Sequence, residues 1–403
     1  MKIAVIGGGA AGYFAAISCK NHFPEAQVSI LEKSNKTLAK VKVSGGGRCN
    51  VTHACFSISE LSKFYPRGEK NLKKSFGIFN TNHTISWFKA RGVELKTEAD
   101  NRMFPITDNS QTIIDCLERE ITQFNIEVRL GFGVDSLKKD GNGFVVSNKT
   151  ETLHFDKVIV ATGGSPKQDS FQWLQSFQHE IISPVPSLFT FNMPSEKTED
   201  LMGVVTPNAI VRIQGTKLVQ QGPLLITHWG MSGPAILKLS AWGARILHDM
   251  NYNFTALVNW TGLANEEIVR EKLLETRFAN EKKKIINANP FEFTGRMWEY
   301  LLRRVEIAEN LIWGELPKKE QNRLINTLFN DAYKVEGKTT FKEEFVTCGG
   351  ISLNEVNMTT MESRKCEGLF FAGEVLDIDG VTGGFNFQAA WTTGFIAGKL
   401  GMG

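Results

Sequence analysis

The sequence predicts an α/β fold in which one domain is assembled from both ends of the chain and is interrupted by an insertion. Two observations carry this prediction. The chain opens with a strand, a glycine turn, a helix and a second strand, which is the unit that builds parallel sheets. Between about 187 and 334 the pattern changes to short strands and then to charged helices, and near Phe345 it returns to short strands.

Hydrophobic spacing defines the opening unit and the elements that follow it. Lys2 to Ile6 is a short apolar strand, Ala10 to about His22 has the periodicity of a helix, and Gln27 to Glu32 forms the second strand. An amphipathic helix and three β-like runs are predicted further on, at Thr112–Phe124, Glu127–Phe132, Gly143–Ser147 and Leu153–Val160. The last run is the most continuously apolar, as expected for a strand that is buried on both faces.

Three prolines, Pro184, Pro186 and Pro194, indicate a domain boundary, because proline interrupts regular structure. We predict a Rossmann-like domain from both ends of the chain, an inserted β-rich domain with one helix, and a small helical domain. Their respective ranges are 1–186 with 345–403, 187–263 with about 335–344, and 264–334. Trp298 and Trp313 of the helical part are expected in a core.

Composition argues against several classes of protein. The formal net charge is only +3 with both signs interspersed, so we expect no nucleic-acid partner. No run of about 20 apolar residues occurs, so we expect no membrane span. The six cysteines form no CxxC pair and no zinc-like spacing with histidine, which predicts reduced thiols in a cytoplasmic protein and no metal site.

Gly7 to Gly12 fits the pattern GxGxxG between the first strand and the first helix. Gly7 permits a tight turn, Gly9 lets phosphates approach the backbone, and Gly12 lets the helix pack close to the sheet. Glu32 follows 20 residues after Gly12, at a strand end where its carboxylate can accept hydrogen bonds from an adenosine ribose and would repel a 2′-phosphate. The context therefore favours FAD or NAD over a purely structural glycine turn.

A second glycine-rich segment runs Ser44-Gly45-Gly46-Gly47-Arg48-Cys49-Asn50. Three consecutive glycines let a backbone wrap closely around a ligand. Arg48 could neutralise a phosphate and Asn50 could meet a polar ring edge, whereas Cys49 is expected to be an inert small residue even if it lies near a flavin. A flexible surface loop is the alternative, but arginine and asparagine within the segment favour a ligand contact.

Two more glycine motifs end predicted strands. Ala161-Thr162-Gly163-Gly164 ends the buried strand, where ligands of open α/β sheets bind. Phe371-Ala372-Gly373-Glu374 ends another, and its carboxylate could bind ribityl hydroxyls. After Asp379-Gly380, the pair Gly383-Gly384 opens the last helix, which is expected from about Asn386. Its free N–H groups could stabilise negative charge at the O2/N1 edge of an isoalloxazine.

These motifs together resemble the aminoacetone-oxidase-like family of FAD flavoproteins, which includes bile-acid reductase relatives. The Ser44–Asn50 segment, THWGMSGPAIL at Thr227–Leu237 and AGEVLDIDGVTGGFNFQAAW at Ala372–Trp391 are similar to the family's signatures, and the resemblance spans nearly the whole chain. One departure is His53, where the family often has asparagine. More distantly, the pattern resembles fumarate reductases and tRNA-modifying flavoproteins.

The resemblance implies a split FAD-binding domain and FAD as the cofactor. The residues predicted to contact FAD are Gly7, Gly9, Ala10, Ala11, Gly12, Glu32, Lys33, Lys40, Ser44, Gly45, Gly46, Arg48, Cys49, Asn50, Gly133, Val134, Ala161, Thr162, Gly163, Gly164, Gly373, Glu374, Asp379, Gly383, Gly384, Phe385, Asn386 and Phe387.

The leading interpretation is an FAD-dependent oxidoreductase that acts on a small molecule, as an NAD(P)H-linked reductase or as an oxygen-using oxidase. No second GxGxxG occurs, so NAD(P)H is expected to bind only transiently beside the flavin. His228 is a weak candidate for a catalytic acid or base, because structural histidines are more common. The alternatives are a flavoprotein that mainly binds RNA or a protein, and an NAD dehydrogenase without flavin. The oligomeric state stays open.

Overall fold

The computed structural model describes residues 1–165, 167–196, 198–340 and 346–402. The chain forms two compact units. The first unit comprises Met1–Ser187 and Phe341–Gly403, and the second unit comprises Leu188–Thr340. The predicted domain boundary between 344 and 345 lies outside the described residues.

The strands of the described chain are, in order, Lys2–Ile6 (β1), Gln27–Leu31 (β2), Thr52–His53 (β3), Leu95–Thr97 (β4), Arg102–Pro105 (β5), Glu127–Arg129 (β6), Ser136–Asp140 (β7), Gly143–Ser147 (β8), Thr152–Phe155 (β9), Lys157–Val160 (β10), Ile181–Ser187 (β11), Thr190–Asn192 (β12), Val205–Ile213 (β13), Val219–Thr227 (β14), Gly230–Ser232 (β15), Asn253–Asn259 (β16), Asp331–Glu336 (β17), Lys338–Thr339 (β18), Val346–Ile351 (β19), Val356–Asn357 (β20), Glu362–Ser363 (β21) and Leu369–Phe371 (β22).

The α-helices are Ala10–His22 (α1), Ala39–Gly47 (α2), Ile58–Ser62 (α3), Glu69–Phe76 (α4), Thr81–Lys89 (α5), Gln111–Gln123 (α6), Pro234–Trp242 (α7), Ala244–Asp249 (α8), Glu266–Ala279 (α9), Gly295–Arg304 (α10), Lys318–Asn330 (α11) and Phe385–Ala397 (α12). Short 3₁₀ helices occupy Gln168–Phe177, Glu199–Leu201, Ile285–Asn287, Trp313–Glu315, Leu353–Glu355 and Gly373–Val375. None of the helices in the described part of the chain has the length and apolar character that a bilayer crossing requires.

The first unit is organised around a seven-stranded sheet with the order β20-β21-β22-β10-β1-β2-β6. β1 lies between β10 and β2 and pairs in parallel with both, and β22 and β6 extend the parallel arrangement on either side. β20 and β21 add an antiparallel edge. Strands β1, β10 and β22 are almost wholly buried, as parallel strands usually are. The predicted α/β fold class is confirmed.

Helices α1 and α12 pack closely because small residues line their contact. A Cβ at Gly394 of α12 would lie 2.5 Å from the Ala11 carbonyl oxygen, and one at Gly398 would overlap the Ala15 carbonyl oxygen. Since Gly394 is level with Ala11 and Gly398 with Ala15, the two helices run in the same direction. Phe385, the first residue of α12, therefore lies about 12 Å beyond the N-terminal end of α1, against the helix direction, at about 1.5 Å of rise per residue.

The prediction of one strand at Leu153–Val160 is wrong in one respect, because the segment forms two strands. β9 pairs with β8 in an antiparallel three-stranded sheet with β7, whereas β10 joins the parallel sheet. Asp156 separates them. Its carboxylate accepts a 2.6 Å hydrogen bond from the Lys2 N–H, and its own N–H donates to the Lys2 carbonyl oxygen at 2.8 Å. β7 was not predicted, since Leu137 is its one apolar residue.

Two of the three prolines that predicted a boundary lie in a strand. Pro184 and Pro186 belong to β11, and the register of β11 against β19 shifts between Ile182 and Val185. Proline is tolerated at such an irregularity, where the ladder hydrogen bonds are already interrupted. The first segment of the first unit ends directly after these residues, at Ser187.

The second unit contains a seven-stranded sheet with the order β17-β16-β13-β14-β15-β12-β18. Its pairings are antiparallel. Helices α9, α10 and α11 bury apolar residues in the same hydrophobic core as the strands, and Trp260, Trp298 and Trp313 belong to this core. The sequence-based division placed the helices in a separate domain, whereas the structure gives helices and strands one continuous core. Trp298 and Trp313 are core residues, as predicted.

Candidate functional site

The carboxyl ends of three parallel strands bring three of the predicted glycine motifs together in the first unit. Gly7 directly follows β1, Ala161 follows β10 and Ala372 follows β22. The Ala161 N–H donates to the Ile6 carbonyl oxygen at 2.8 Å, and the Ala372 N–H donates to the Val160 carbonyl oxygen at 2.9 Å. This edge of a parallel sheet is where ligands of open α/β folds bind.

The glycines of the turn Gly7–Gly12 have different surroundings. At two positions the neighbouring backbone leaves no room for a side chain, whereas at a third the space is open. Gly7 has a φ of +114°, and a Cβ there would overlap the Ala161 carbonyl oxygen. A Cβ at Gly12 would overlap the Gly7 carbonyl oxygen. By contrast, no heavy atom of the described chain lies within 4 Å of the Cβ position of Gly9. Gly9 also precedes α1, whose N-terminus has no side-chain cap and no acidic residue in its first turn.

This arrangement fits the pyrophosphate of a dinucleotide. Uncapped N–H groups at a helix N-terminus bind anions, and the backbone at Gly9 is open to close approach. Ala10 and Ala11 begin α1 and carry no polar side chain that would compete for those N–H groups. The predicted contacts of these residues with FAD remain predictions.

Glu32 is held in place at the end of β2. Its Oε2 accepts a 2.7 Å hydrogen bond from the Gly8 N–H, and its Oε1 accepts one of 2.8 Å from the Ser34 N–H. The Phe132 N–H donates to the Glu32 carbonyl oxygen at 2.8 Å, which brings the next residue, Gly133, beside Lys33. The structure thus assembles Glu32, Lys33 and the Gly133–Val134 pair on one side of the glycine turn, where the sequence places an adenosine.

The Ser44–Asn50 segment is kinked rather than extended. α2 continues to Gly47, but Ser44 has a ψ of 147°, and Gly45 and Gly46 have φ values of 59° and 70°. The Cβ positions of Gly46 and Gly47 have no heavy atom of the described chain within 4 Å, so this backbone is open to a ligand. Cys49 is fully buried, and burial raises the pKa of its thiol to about 12. A thiol in this state is a poor nucleophile at neutral pH, and the predicted inert role of Cys49 remains a prediction.

Arg48 pairs with carboxylates of the chain itself. Its Nη1 lies 2.6 Å from Glu98 Oε1 and 3.4 Å from Asp108 Oδ1. Its guanidinium lies over the Phe104 ring at 4.0 Å from the centroid. Two carboxylates therefore compensate the charge that was predicted to neutralise a phosphate. Sequence spacing could not reveal these partners, which are about 50 and 60 residues away.

Asn50 connects the kinked segment to the start of α12. With its amide oriented by the surrounding donors and acceptors, Asn50 donates to the Thr52 carbonyl oxygen and accepts from the Gly384 N–H, both at 3.0 Å. His53 Nδ1 lies 3.0 Å from the Gly383 carbonyl oxygen. Gly384 has a φ of +94°, and a Cβ there would lie 2.5 Å from the Thr52 carbonyl oxygen. These contacts fix the glycine pair that opens α12.

The N-terminus of α12 resembles that of α1 in its chemistry. It has no side-chain cap and no acidic residue in its first turn. The two N-termini face the site with an offset of about 12 Å along their common direction. FAD would place its pyrophosphate at the N-terminus of α1 and the negatively charged edge of its ring at the N-terminus of α12. It would have to span such an offset, so the pair of helices fits FAD.

Glu374 lies between two other predicted contacts. Lys40 Nζ lies 2.7 Å from Glu374 Oε2, and the Gly164 N–H is directed at the same oxygen from 3.4 Å. Gly373 has a φ of +75°, and a Cβ there would lie 2.8 Å from Ala11 Cβ. Thr162 and Gly163 precede Gly164 in the same turn. The structure therefore gathers Lys40, Glu374 and this turn into one cluster, and the ribityl role of Glu374 remains a prediction.

Asp379 is a correction to the predicted set. Its side chain has no exposed surface, and Arg67 Nε and Nη2 both hydrogen-bond to its carboxylate. Ser187 Oγ donates to Asp379 Oδ2 at 2.7 Å. Burial raises the pKa of Asp379 above its ordinary value, although the charge of Arg67 acts in the opposite direction. Asp379 is thus half of a buried ion pair and offers no surface to a cofactor.

The residues after Asp379 shape the loop that leads into α12. The Asn386 amide accepts from the Gly380 N–H at 2.8 Å and donates to the Gly380 carbonyl oxygen at 3.0 Å. Tyr65 Oη donates to the Phe385 carbonyl oxygen at 2.7 Å. The Phe387 ring stacks on Trp391, with centroids 5.5 Å apart. Asn386 and Phe387 therefore have structural contacts in addition to their predicted contacts with FAD.

His228 belongs to the second unit. It lies in the turn between β14 and β15 and is exposed, with its ring centroid 3.8 Å from that of Trp229. These contacts assign it no chemical role, so its catalytic role stays a prediction.

Comparisons with known proteins identify relatives of the whole chain. A family model described as the HI0933-like protein Rossmann domain matches residues 1–400. A 3-dehydro-bile acid delta(4,6)-reductase of Clostridium scindens is 27% identical over 419 residues, covering 99% of this chain and 98% of the relative. A ribosomal RNA dihydrouridine synthase of Escherichia coli is 29% identical over 399 residues, covering 96% and 95%.

One solved structure has a similar fold over the whole chain. The 3-ketosteroid delta1-dehydrogenase from Sterolibacterium denitrificans superposes with a TM-score of 0.52 at 12% identity, covering 98% of both chains. At this identity the likeness concerns the fold alone.

Proposed function

The chain belongs to the HI0933-like Rossmann-domain family and is an FAD-dependent oxidoreductase, and from this premise we propose that it hydrogenates a carbon–carbon double bond conjugated with a carbonyl group. The proposal is based on the type of bond that the names of two relatives imply, although their substrates are unlike. One relative is named as a delta(4,6)-reductase of a 3-dehydro-bile acid, and the other as a synthase of dihydrouridine. A 3-oxo steroid with ring double bonds and a uracil ring both present a double bond conjugated with a carbonyl.

Residues of the first unit would hold the cofactor for this reaction. FAD, when bound, supplies hydride chemistry. The N–H groups at the start of α1 would bind the pyrophosphate, and those at the start of α12 would stabilise negative charge on the ring edge. Asn50 and His53 act indirectly, because they hold the Gly383-Gly384 backbone that presents these groups.

We propose NAD(P)H as the electron donor and a small molecule as the substrate. A lone GxGxxG supports transient rather than resident binding of the pyridine nucleotide. The formal net charge of +3 with interspersed signs favours a small neutral or anionic substrate over an RNA. The cysteines include no CxxC pair and are too few for a disulfide framework in a chain of this length, which fits a reducing compartment, so we place the enzyme in the cytoplasm. His228 remains the candidate that the sequence suggests for a catalytic acid or base.

The experiment is an anaerobic single turnover. The holoenzyme is reduced with one equivalent of NADPH or NADH and then mixed with a 3-oxo-4-ene steroid, while flavin absorbance and product mass are followed. We expect the oxidised flavin spectrum to return and a product with two additional hydrogens to form. Reoxidation by oxygen alone, with no response to the steroid or to other conjugated carbonyl compounds, would identify an oxidase instead.

The E. coli relative favours ribosomal RNA as a second candidate substrate. The same reduced enzyme is therefore mixed with a ribosomal RNA transcript, and dihydrouridine is measured by mass spectrometry. We expect little product from the transcript. Dihydrouridine formation without turnover of small conjugated carbonyl compounds would replace the first candidate by the second.

A further inference from the structure

The peptide group between Gly383 and Gly384, directly before α12, is hydrogen-bonded at both of its polar ends. The Gly383 carbonyl oxygen lies 3.0 Å from His53 Nδ1, and the Gly384 N–H donates to the Asn50 amide oxygen at 3.0 Å. Because a carbonyl oxygen can only accept, His53 carries a proton on Nδ1. His53 and both glycines are partly exposed. One accessible peptide is thus held by two side chains.

Glycine on both sides makes the orientation of this peptide depend on these hydrogen bonds. Gly383 and Gly384 have φ values of 129° and 94°. Since neither residue has a Cβ, the backbone itself opposes little the rotation that exchanges the carbonyl and the N–H. After such a rotation the carbonyl oxygen would face the Asn50 amide oxygen, which donation from the same amide to the Thr52 carbonyl oxygen fixes in place. Asn50 and His53 therefore select one of two orientations.

The orientation of the peptide determines the electrostatics at the start of α12. This helix begins at Phe385, with no side-chain cap and no acidic residue in its first turn, so its N-terminus is a centre of positive partial charge. A rotated peptide would bring its carbonyl, a centre of negative partial charge, to the place of the Gly384 N–H directly before the helix. The orientation that His53 holds keeps this negative end away.

We propose that His53 is a positioning residue, which raises the reduction potential of bound FAD by holding the Gly383-Gly384 peptide in this orientation. Reduction places negative charge on the O2/N1 edge of the flavin ring, and a positive helix end stabilises that charge. The imidazole need not touch the cofactor, because it acts through the peptide. Its ring centroid lies 4.5 Å from that of Phe385, beside the first residue of α12. The proposal rests on the proposed function, since it requires FAD at this helix end.

Three variants test this role. His53→Asn and His53→Leu are a matched pair, because both side chains branch at Cγ and only asparagine has an N–H donor where histidine has Nδ1. His83→Leu is the control at a distance. His83 Nδ1 accepts a 3.1 Å hydrogen bond from the Asn80 N–H at the start of α5. Its ring stacks on Phe79, which in turn stacks on Phe395 near the opposite end of α12.

The reduction potential of bound FAD is measured by anaerobic reduction of each holoprotein beside a dye of known potential. The dissociation constant of oxidised FAD is measured by quenching of flavin fluorescence. His53→Leu should weaken the binding of reduced FAD about tenfold more than that of oxidised FAD, which is the loss of about one hydrogen bond. This lowers the potential of the two-electron couple by about 30 mV. His53→Asn and His83→Leu should keep the wild-type potential.

Three outcomes would overturn the proposal. If His53→Leu keeps the wild-type potential, or weakens the oxidised and reduced cofactor equally, His53 does not set the potential. If His53→Asn lowers the potential as much as His53→Leu, the hydrogen bond to the Gly383 carbonyl is not the cause. If His83→Leu lowers it as much, the effect is general. If the wild-type protein itself fails to take up FAD, the proposed function fails, and this result is distinguishable because it precedes any comparison of variants.

Discussion

Replacing Gly9 with valine is expected to give a folded protein that does not retain FAD. Gly9 has φ and ψ of −92° and −170°, which valine adopts without strain, and its Cβ position faces open space in the FAD-free chain. The added side chain would occupy the approach of the pyrophosphate to the N-terminus of α1. We expect FAD affinity to fall by about two orders of magnitude, or about 2.7 kcal/mol, in fluorescence titrations.

Gly12→Ala is the matched variant with the opposite expected behaviour. A Cβ at Gly12 would overlap the Gly7 carbonyl oxygen, so the first turn of α1 must shift away from β1. Overpacking of this kind destabilises by about 1–3 kcal/mol or more, so the FAD-free protein should melt at a lower temperature. If Gly9→Val instead lowers the FAD-free melting temperature as much as Gly12→Ala, the open space at Gly9 is not a cofactor approach.

Arg67→Met is expected to cause the largest loss of stability. The substitution leaves the fully buried Asp379 carboxylate without its cation, and breaking a buried ion pair in this way costs about 3–5 kcal/mol. Because Asp379 precedes the loop into α12, we also expect weaker FAD binding. Chemical denaturation of the FAD-free protein measures the first effect, and Arg67→Met/Asp379→Asn, which removes the buried charge, should recover much of the loss.

The pH dependence of the Arg67→Met deficit has a defined sign. Burial already raises the pKa of Asp379 in the folded protein, and removing Arg67 removes the charge that lowers it. The folded variant then binds a proton more tightly than the unfolded chain, so its stability falls as pH rises from the unfolded pKa through the raised folded pKa. The deficit should therefore be larger at about pH 8 than at about pH 5. A deficit independent of pH would indicate that lost packing, and not the unpaired carboxylate, is its cause.

Local signals in the sequence predicted the parallel sheet and the glycine turns. The bounds of β1 and α1 followed from hydrophobic periodicity, and the start of α12 followed from the Gly383-Gly384 pair. Local signals do not predict a strand, or a break in one, that depends on hydrogen bonds to distant residues rather than on its own apolar residues. β7 has one apolar residue, and the break at Asp156 depends on hydrogen bonds to Lys2.

Contacts between distant residues explain the remaining differences at the site. Asp379 lies within a motif that resembles FAD-binding segments, but its partner Arg67 is 312 residues away in the chain. Arg48 is compensated by Glu98 and Asp108, which no spacing rule connects to it.

The absorption spectrum of the purified protein, before and after incubation with FAD, tests the central claim most directly. We expect flavin bands on the native protein and release of FAD, identified by chromatography, on denaturation. The Gly9→Val variant, treated identically, should remain colourless. Wild-type protein that stays colourless after incubation with FAD, particularly if it binds NADH instead, would contradict the account and reassign the glycine turn to NAD.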